Sequence, residues 1–153
     1  MFDPKRHSMV PQRSFDSYTK GELFRAPGRT ITEGMFTAYQ GASGDSAQLH
    51  YDKVFLERIG HKNLFSHGFL TLIQSSIGAT TLAHELGSSL LGFIEQSSQF
   101  LKPVYCEDTL YVEFEIFDLI KSKSTGVMVL DVRIFNQRSD LVLSGKQKYL
   151  ISL

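Results

Sequence analysis

Cysteine is nearly absent from this chain: Cys106 is the one cysteine in 153 residues. That excludes an internal disulfide and suits a reducing compartment. Charge of one sign is missing too, since 16 Lys+Arg balance 16 Asp+Glu. A net charge of zero supplies no long-range pull toward nucleic acid or anionic lipid, so neither partner is expected. No uninterrupted apolar run of about 20 residues occurs, which is what a membrane-spanning helix needs. The richest apolar stretch, 68–86, is broken by Gln74, Ser75, Ser76, Thr80, Thr81 and His84. The start, Met1-Phe2-Asp3-Pro4-Lys5-Arg6, is polar and carries no signal-peptide core. A cytoplasmic location is the expectation. Internal repeats, low-complexity tracts and heptads are likewise missing.

What is present fits one globular domain, because two cores in this length would each be marginal. Residues 1–17 lack periodicity and are expected to form an arm or loose terminus, leaving 18–153 as the domain. An extended segment from Leu23 to Thr32 is divided by the turn signal Pro27-Gly28. Thr32 is placed to cap a helix over 33–42 that Gly44 ends. Ser66 is the expected cap of a long helix, roughly His67 to Glu85. That helix is apolar on most sides and asks to be enclosed, and its small residues would let a sheet come close.

The period then changes from helical to two. Leu110, Val112, Phe114 and Ile116 share one face. Met128, Leu130, Val132 and Ile134 form a second row, and Leu143, Gly145, Gln147, Tyr149 and Ile151 a third. With a strand over Leu91–Leu101, four strands joined by short turns favour an antiparallel sheet. The fold class is α+β: one long central helix and a mostly antiparallel sheet.

The chemistry is concentrated in Ala42-Ser43-Gly44-Asp45-Ser46-Ala47-Gln48-Leu49-His50, followed by Ser66-His67-Gly68-Phe69-Leu70. An acid and an imidazole five positions apart can converge on one point. Ser43-Gly44-Asp45, Leu49-His50 and a helix-opening His67-Gly68 resemble the MaoC-like dehydratases and (R)-specific enoyl-CoA hydratases. Gly28-Arg29-Thr30-Ile31-Thr32-Glu33 looks like that family's lead-in to its first helix. Phe100-Leu101-Lys102-Pro103-Val104 with Asp108-Thr109-Leu110 looks like its strand–turn–strand segment. The likeness spans roughly residues 18–152. Where the family motif usually has Asn-Pro, this chain has Ala47-Gln48.

The resemblance implies a hot-dog fold, a curved sheet wrapped around one helix, paired as a homodimer or dimer of dimers. It implies hydration or dehydration of an acyl-CoA or acyl-carrier thioester, with neither metal nor organic cofactor. Asp45 and His50 would handle protons on one water, and the Gly68 N–H would meet the thioester oxyanion. Ser43, Tyr39, Gln48 and His67 are the candidate substrate-binding residues, His67 having a helix-orienting role as its plainer reading. Arg25, Arg29 and Lys102 are candidates for the CoA phosphates, against the default of solvated charge. A metal set from His50, His61, His67 and Glu57 is not expected, since none of these pairs has zinc-type spacing. Cys106 is expected to be inert. The competing functions are a hot-dog thioesterase, for which the helix offers only Glu85, and a non-catalytic acyl-CoA-binding subunit.

Overall fold

The computed structural model describes residues 3–4 and 7–153; Met1, Phe2, Lys5 and Arg6 of the expected arm lie outside the described residues. Pro27-Gly28 divides the first extended segment into β1 (Leu23–Arg25) and β2 (Arg29–Thr30). Three helices follow: α1 (Glu33–Ser43), α2 (Gln48–Tyr51) and α3 (Lys53–Arg58). Two more, α4 (Gly68–Ile73) and α5 (Thr81–Leu86), precede the long strands. These are β3 (Leu90–Phe100), β4 (Thr109–Lys121), β5 (Thr125–Asn136) and β6 (Leu141–Ser152).

The sheet runs β1-β4-β5-β6-β3, with β2 also on β4, and every pairing is antiparallel. The three period-two rows supply much of the core: Phe114, Met128, Leu130, Ile134, Leu143 and Ile151 are fully buried. Against them pack Phe36 of α1, Leu56 of α3, Leu70 of α4, and Leu82 and Leu86 of α5. Fully burying such a side chain is worth about 1.5–3 kcal/mol, so these faces dominate the stability. Within the stretch read as an arm, Phe15 is buried, its ring covering Gly126, where a Cβ would lie 2.5 Å away. Arg13 pairs with Glu22 and with Glu85 at 3.1 Å.

The α+β hot-dog architecture is as expected, but the single long helix is not. The chain leaves helical geometry after Ile73, passes through a short 3-10 turn at Ile77–Ala79, and resumes at Thr81. Hydroxyl side chains account for the break. Ser75 Oγ donates to Leu72 O at 2.6 Å, Ser76 Oγ to Ile73 O at 2.8 Å, and Thr80 Oγ1 to Ile77 O at 2.7 Å. Such bonds compete with the next helical turn. Gln147, buried in β6, takes the freed Ser75 carbonyl through Nε2 at 2.9 Å. Thr80 then caps α5 by accepting from Leu82 N at 3.2 Å. Ser66 is not the cap of α4; His67 occupies that position, without a side-chain cap bond.

One turn anchors both segments that reach the candidate site. Ile31 N donates to Asp108 O and Glu107 N to Ile31 O, fixing the entry to α1. Cys106 N donates to Leu64 O and Ser66 N to Val104 O, fixing the entry to α4. The buried Asp108 carboxylate braces that turn, accepting from Tyr105 N at 2.9 Å, Gln137 Nε2 at 2.7 Å and Arg138 Nη1 at 2.9 Å. Burial alone would raise its pKa; the hydrogen bonds from Arg138, Gln137 and Tyr105 outweigh it and hold the carboxyl below its usual value. A depressed folded pKa gives stability that is present above the unfolded value of 3.8 and lost as pH falls through the folded one. Asp108→Ala is therefore expected to cost about 1.5–3 kcal/mol at neutral pH, the worth of charge-assisted bonds. The melting temperature should drop by about 3–12 °C at this chain length. Acid titration of the melting temperature checks the sign: the gap between wild type and variant should narrow below pH 3.8.

Candidate active site

Asp45 follows α1 directly, and local bonds hold it there. Gly44 ends the helix in the left-handed region (φ 74°), its N–H donating to Gln40 O. Glycine enters that region without steric cost. Ser43 Oγ donates to Tyr39 O at 2.7 Å and accepts Asp45 N–H at 3.1 Å. Asp45 Oδ1 accepts Ala47 N–H at 3.1 Å. The loop is thus set by Ser43 and by an aspartate turn, which accounts for its order without the family's Asn-Pro. Ser43 is a latch at the helix end, turned to the backbone on both sides. Gln48 opens α2 and is exposed.

His50 lies on α2, half-buried, with Nδ1 2.8 Å from Phe65 O. A carbonyl only accepts, so Nδ1 carries the hydrogen and Nε2 presents a lone pair. His67 is 2% exposed and stacks on His50, ring centroids 3.7 Å apart at 28°. Its Nε2 is 2.9 Å from Tyr51 Oη, which donates to Phe36 O at 3.3 Å. Tyr39 packs on the His67 ring, centroids 4.5 Å apart at 44°. Asp45, His50 and His67 each bring a polar atom into one space, all within 4.8 Å of one another. Those atom types can ligate a metal ion, and the same three groups can instead hold one water for proton transfer. His61 is elsewhere, edge-on to Phe65.

Burial, then the neighbouring His50, push the His67 pKa below its ordinary value of 6.5, with Asp45 opposing. A histidine that is harder to protonate when folded favours the folded state fully above the unfolded pKa and less as pH falls below it. Stability should accordingly decline as pH drops below 6.5, and His67→Phe should flatten that decline. Chemical denaturation of both proteins between pH 7 and 5 is the measurement.

Gly68, the first residue of α4, is exposed, and a Cβ there would touch the Phe100 ring at 3.4 Å. The first N–H of a helix has no partner within it. A cavity of about 480 Å³ between α1 and the α2–α3 corner has His50 and Tyr51 in its wall. A larger hollow of about 650 Å³ over β3, β5 and β6 contains none of these groups. Of the residues singled out in the sequence, Asp45, His50 and His67 come together, and Tyr39 packs on His67. Tyr51 and the carbonyls of Phe36 and Phe65 were missed. Tyr51 had only its place beside His50 to mark it, and backbone acceptors leave no trace in a sequence.

Arg25 pairs with Glu113 and Lys102 with Asp140, so two of the three phosphate candidates already have partners. Cys106 is buried, and burial raises its thiol pKa, in keeping with an inert role. Among the described residues no helix is long and apolar enough to cross a membrane.

The MaoC like domain family matches residues 15–136. Three solved structures are similar. A monoamine oxidase regulatory protein from Archaeoglobus fulgidus superposes with a TM-score of 0.84 at 25% identity, over 95% of this chain and 98% of that one. An (R)-hydratase from A. caviae involved in PHA biosynthesis gives 0.71 at 25% identity, over 87% and 96%. Rv0216 from Mycobacterium tuberculosis, which has a double hotdog fold, gives 0.77 at 24% identity, over 92% and 44%. Against curated protein sequences there is no match.

Proposed function

The chain belongs to the MaoC-like dehydratase family, and from that premise we propose that it adds water to a 2-enoyl thioester or removes water from the 3-hydroxyacyl form. The observation that carries this reading is the approach of Asp45 and His50 within 4.8 Å, each turned by a bond to backbone so that a free acceptor remains. One water donating to both acceptors spans about 4.5 Å, two hydrogen bonds of about 2.8 Å at the water angle. In the hydration direction the pair takes a proton as the water oxygen bonds to Cβ. The alkene electrons move onto the thioester oxygen, and Cα then collects a proton from the pair. The two groups hold the same water, so base and acid are not assigned separately. Gly68 N–H is the donor offered to the thioester oxygen.

Beside α4 an apolar groove of about 300 Å³, with Leu72, Ile73, Ile77 and Phe93 in its wall, is where the acyl tail is expected to lie. Phe69 (66% exposed) and Phe93 (55% exposed) leave apolar surface next to it, which a second copy of the chain would cover. The thioesterase alternative loses its candidate carboxylate, since Glu85 is committed to Arg13. The deciding experiment mixes the protein with crotonyl-CoA and follows enoyl absorbance and free thiol together. Absorbance loss without thiol supports hydration. Thiol release without hydration, or inertness toward short-, medium- and dicarboxylic enoyl-CoAs, would overturn it.

A further inference from the structure

We propose that His67 is a positioning residue for this proton transfer: an uncharged, buried imidazole that serves as the plate holding the ring of His50. The inference rests on the hydratase reading for its chemistry, but its geometry stands apart from it.

Two hydrogen-bond chains, each ending on a carbonyl, fix the protons of both rings. His50 Nδ1 donates to Phe65 O, leaving Nε2 bare. Tyr51 gives its hydroxyl hydrogen to Phe36 O, so His67 Nε2 donates to the Tyr51 oxygen, leaving Nδ1 bare. That Nδ1 is buried and has no hydrogen-bond partner. The site therefore gathers a carboxylate and two imidazole lone pairs with no donor among these three groups, an arrangement that can hold the one proton the reaction moves.

It does not receive two. A second proton on His67 would sit in a buried place a ring's thickness from His50. Like charges so close are strongly disfavoured. The other titratable groups packed around the pair are Asp45 after α1, Tyr39 on α1 and Tyr51 on α2. Asp45 is the anion among them, so the one mobile proton is shared between Asp45 and His50.

His50 has a single side-chain bond, to Phe65 O, and one bond leaves a ring free to turn about it. The stacked face of His67 stops that rotation. Tyr51 in turn keys His67, whose ring is enclosed by Phe36, Tyr39 and Tyr51. His67 occupies the cap position of α4 and at the same time stacks sideways on His50.

The test combines kinetics and nitrogen NMR on the full chain. In the unmodified protein, long-range proton–nitrogen spectra should show His50 as the Nδ1–H form and His67 as the Nε2–H form. His67→Leu, of similar size but without a ring, should let His50 become a mixture of tautomers. Its kcat for crotonyl-CoA should fall about 10²-fold, the usual loss for a misplaced group. KM should move by less than about threefold, because the lost contact acts on the reacting state. His67→Phe, which restores the plate without the key to Tyr51, should recover most of that loss. Opposite tautomers in the unmodified protein would overturn the proposal. So would a folded His67→Leu with unchanged kcat, pH–rate profile and His50 tautomer. If His67→Leu does not fold, His67→Gln, which keeps a donor toward Tyr51 and has no ring, takes its place with the same expected losses. Should the unmodified protein show the expected tautomers but hydrate no enoyl thioester, the positioning role stands and the hydratase reading falls.

Discussion

Asp45→Asn is expected to lower turnover of an enoyl-CoA by about 10²–10⁴-fold, the range that positioned acid–base groups contribute, with the fold unchanged. The asparagine is the same size and its amide oxygen can still accept Ala47 N–H. Helix α1, Gly44 and the Ser43 latch are untouched by the change. What disappears is the negative charge and the proton affinity, so a loss of rate reports chemistry and not loop geometry. His50→Ala should cost a similar factor, although it also strips Phe65 O of its partner. The double variant should be scarcely worse than either single one, because residues that act as one unit are not additive. Three measurements suffice: kcat for both single variants, kcat for the double, and melting temperatures to confirm folding. Near-normal turnover in both single variants would eliminate the pair.

Much of this arrangement was legible beforehand, and the physical reason differs by element. The strands declare themselves because burial on one face forces alternation, and Leu110 to Ile116 or Met128 to Ile134 can be read no other way. Pro27-Gly28 and Gly44 mark their turns through backbone constraints that are local and therefore visible. Asp45 with His50 was visible because both lie within one short segment. The break after Ile73 was not. Ser75 and Ser76 read as small residues permitting close approach and Thr80 as a polar interruption, whereas all three act by capturing carbonyls. That outcome depends on Gln147, 72 positions away from Ser75, arriving to satisfy the carbonyl that the helix gives up. The His67–His50 stack was hidden for a similar reason, since α2 is held to the lead-in of α4 by the bonds of Phe65 N to Leu49 O and His50 Nδ1 to Phe65 O, which no sequence pattern announces. Periodicity reports which face is buried; it does not report which buried polar groups find each other.

The oxyanion donor permits a sharper test than the usual removal of a side chain, because the group in question is a backbone N–H. Gly68→Pro is expected to reduce kcat by about 10²–10³-fold, equivalent to the 2.7–4 kcal/mol typical for one lost donor. Proline deletes the N–H and adds ring carbons, of which Cβ meets the Phe100 ring. Gly68 is the first helical residue of α4, the position at which proline is most readily accommodated. His67, just before it, is already extended at φ −57°, ψ 141°, as a residue preceding proline prefers. The broken helix also sharpens the interpretation. With α4 ending at Ile73, few aligned peptide dipoles stand behind its N-terminus. The loss should therefore come from one hydrogen bond and not from a long helix's field. Gly68→Ala provides the control, since it keeps the N–H while adding a methyl 3.4 Å from the Phe100 ring. A large loss in both variants would mean that the residue matters for space beside Phe100. A loss confined to proline identifies the amide. If proline at this position leaves kcat unchanged in a folded protein, negative charge on the thioester oxygen must be met by a different donor, and Gly68 belongs to packing alone.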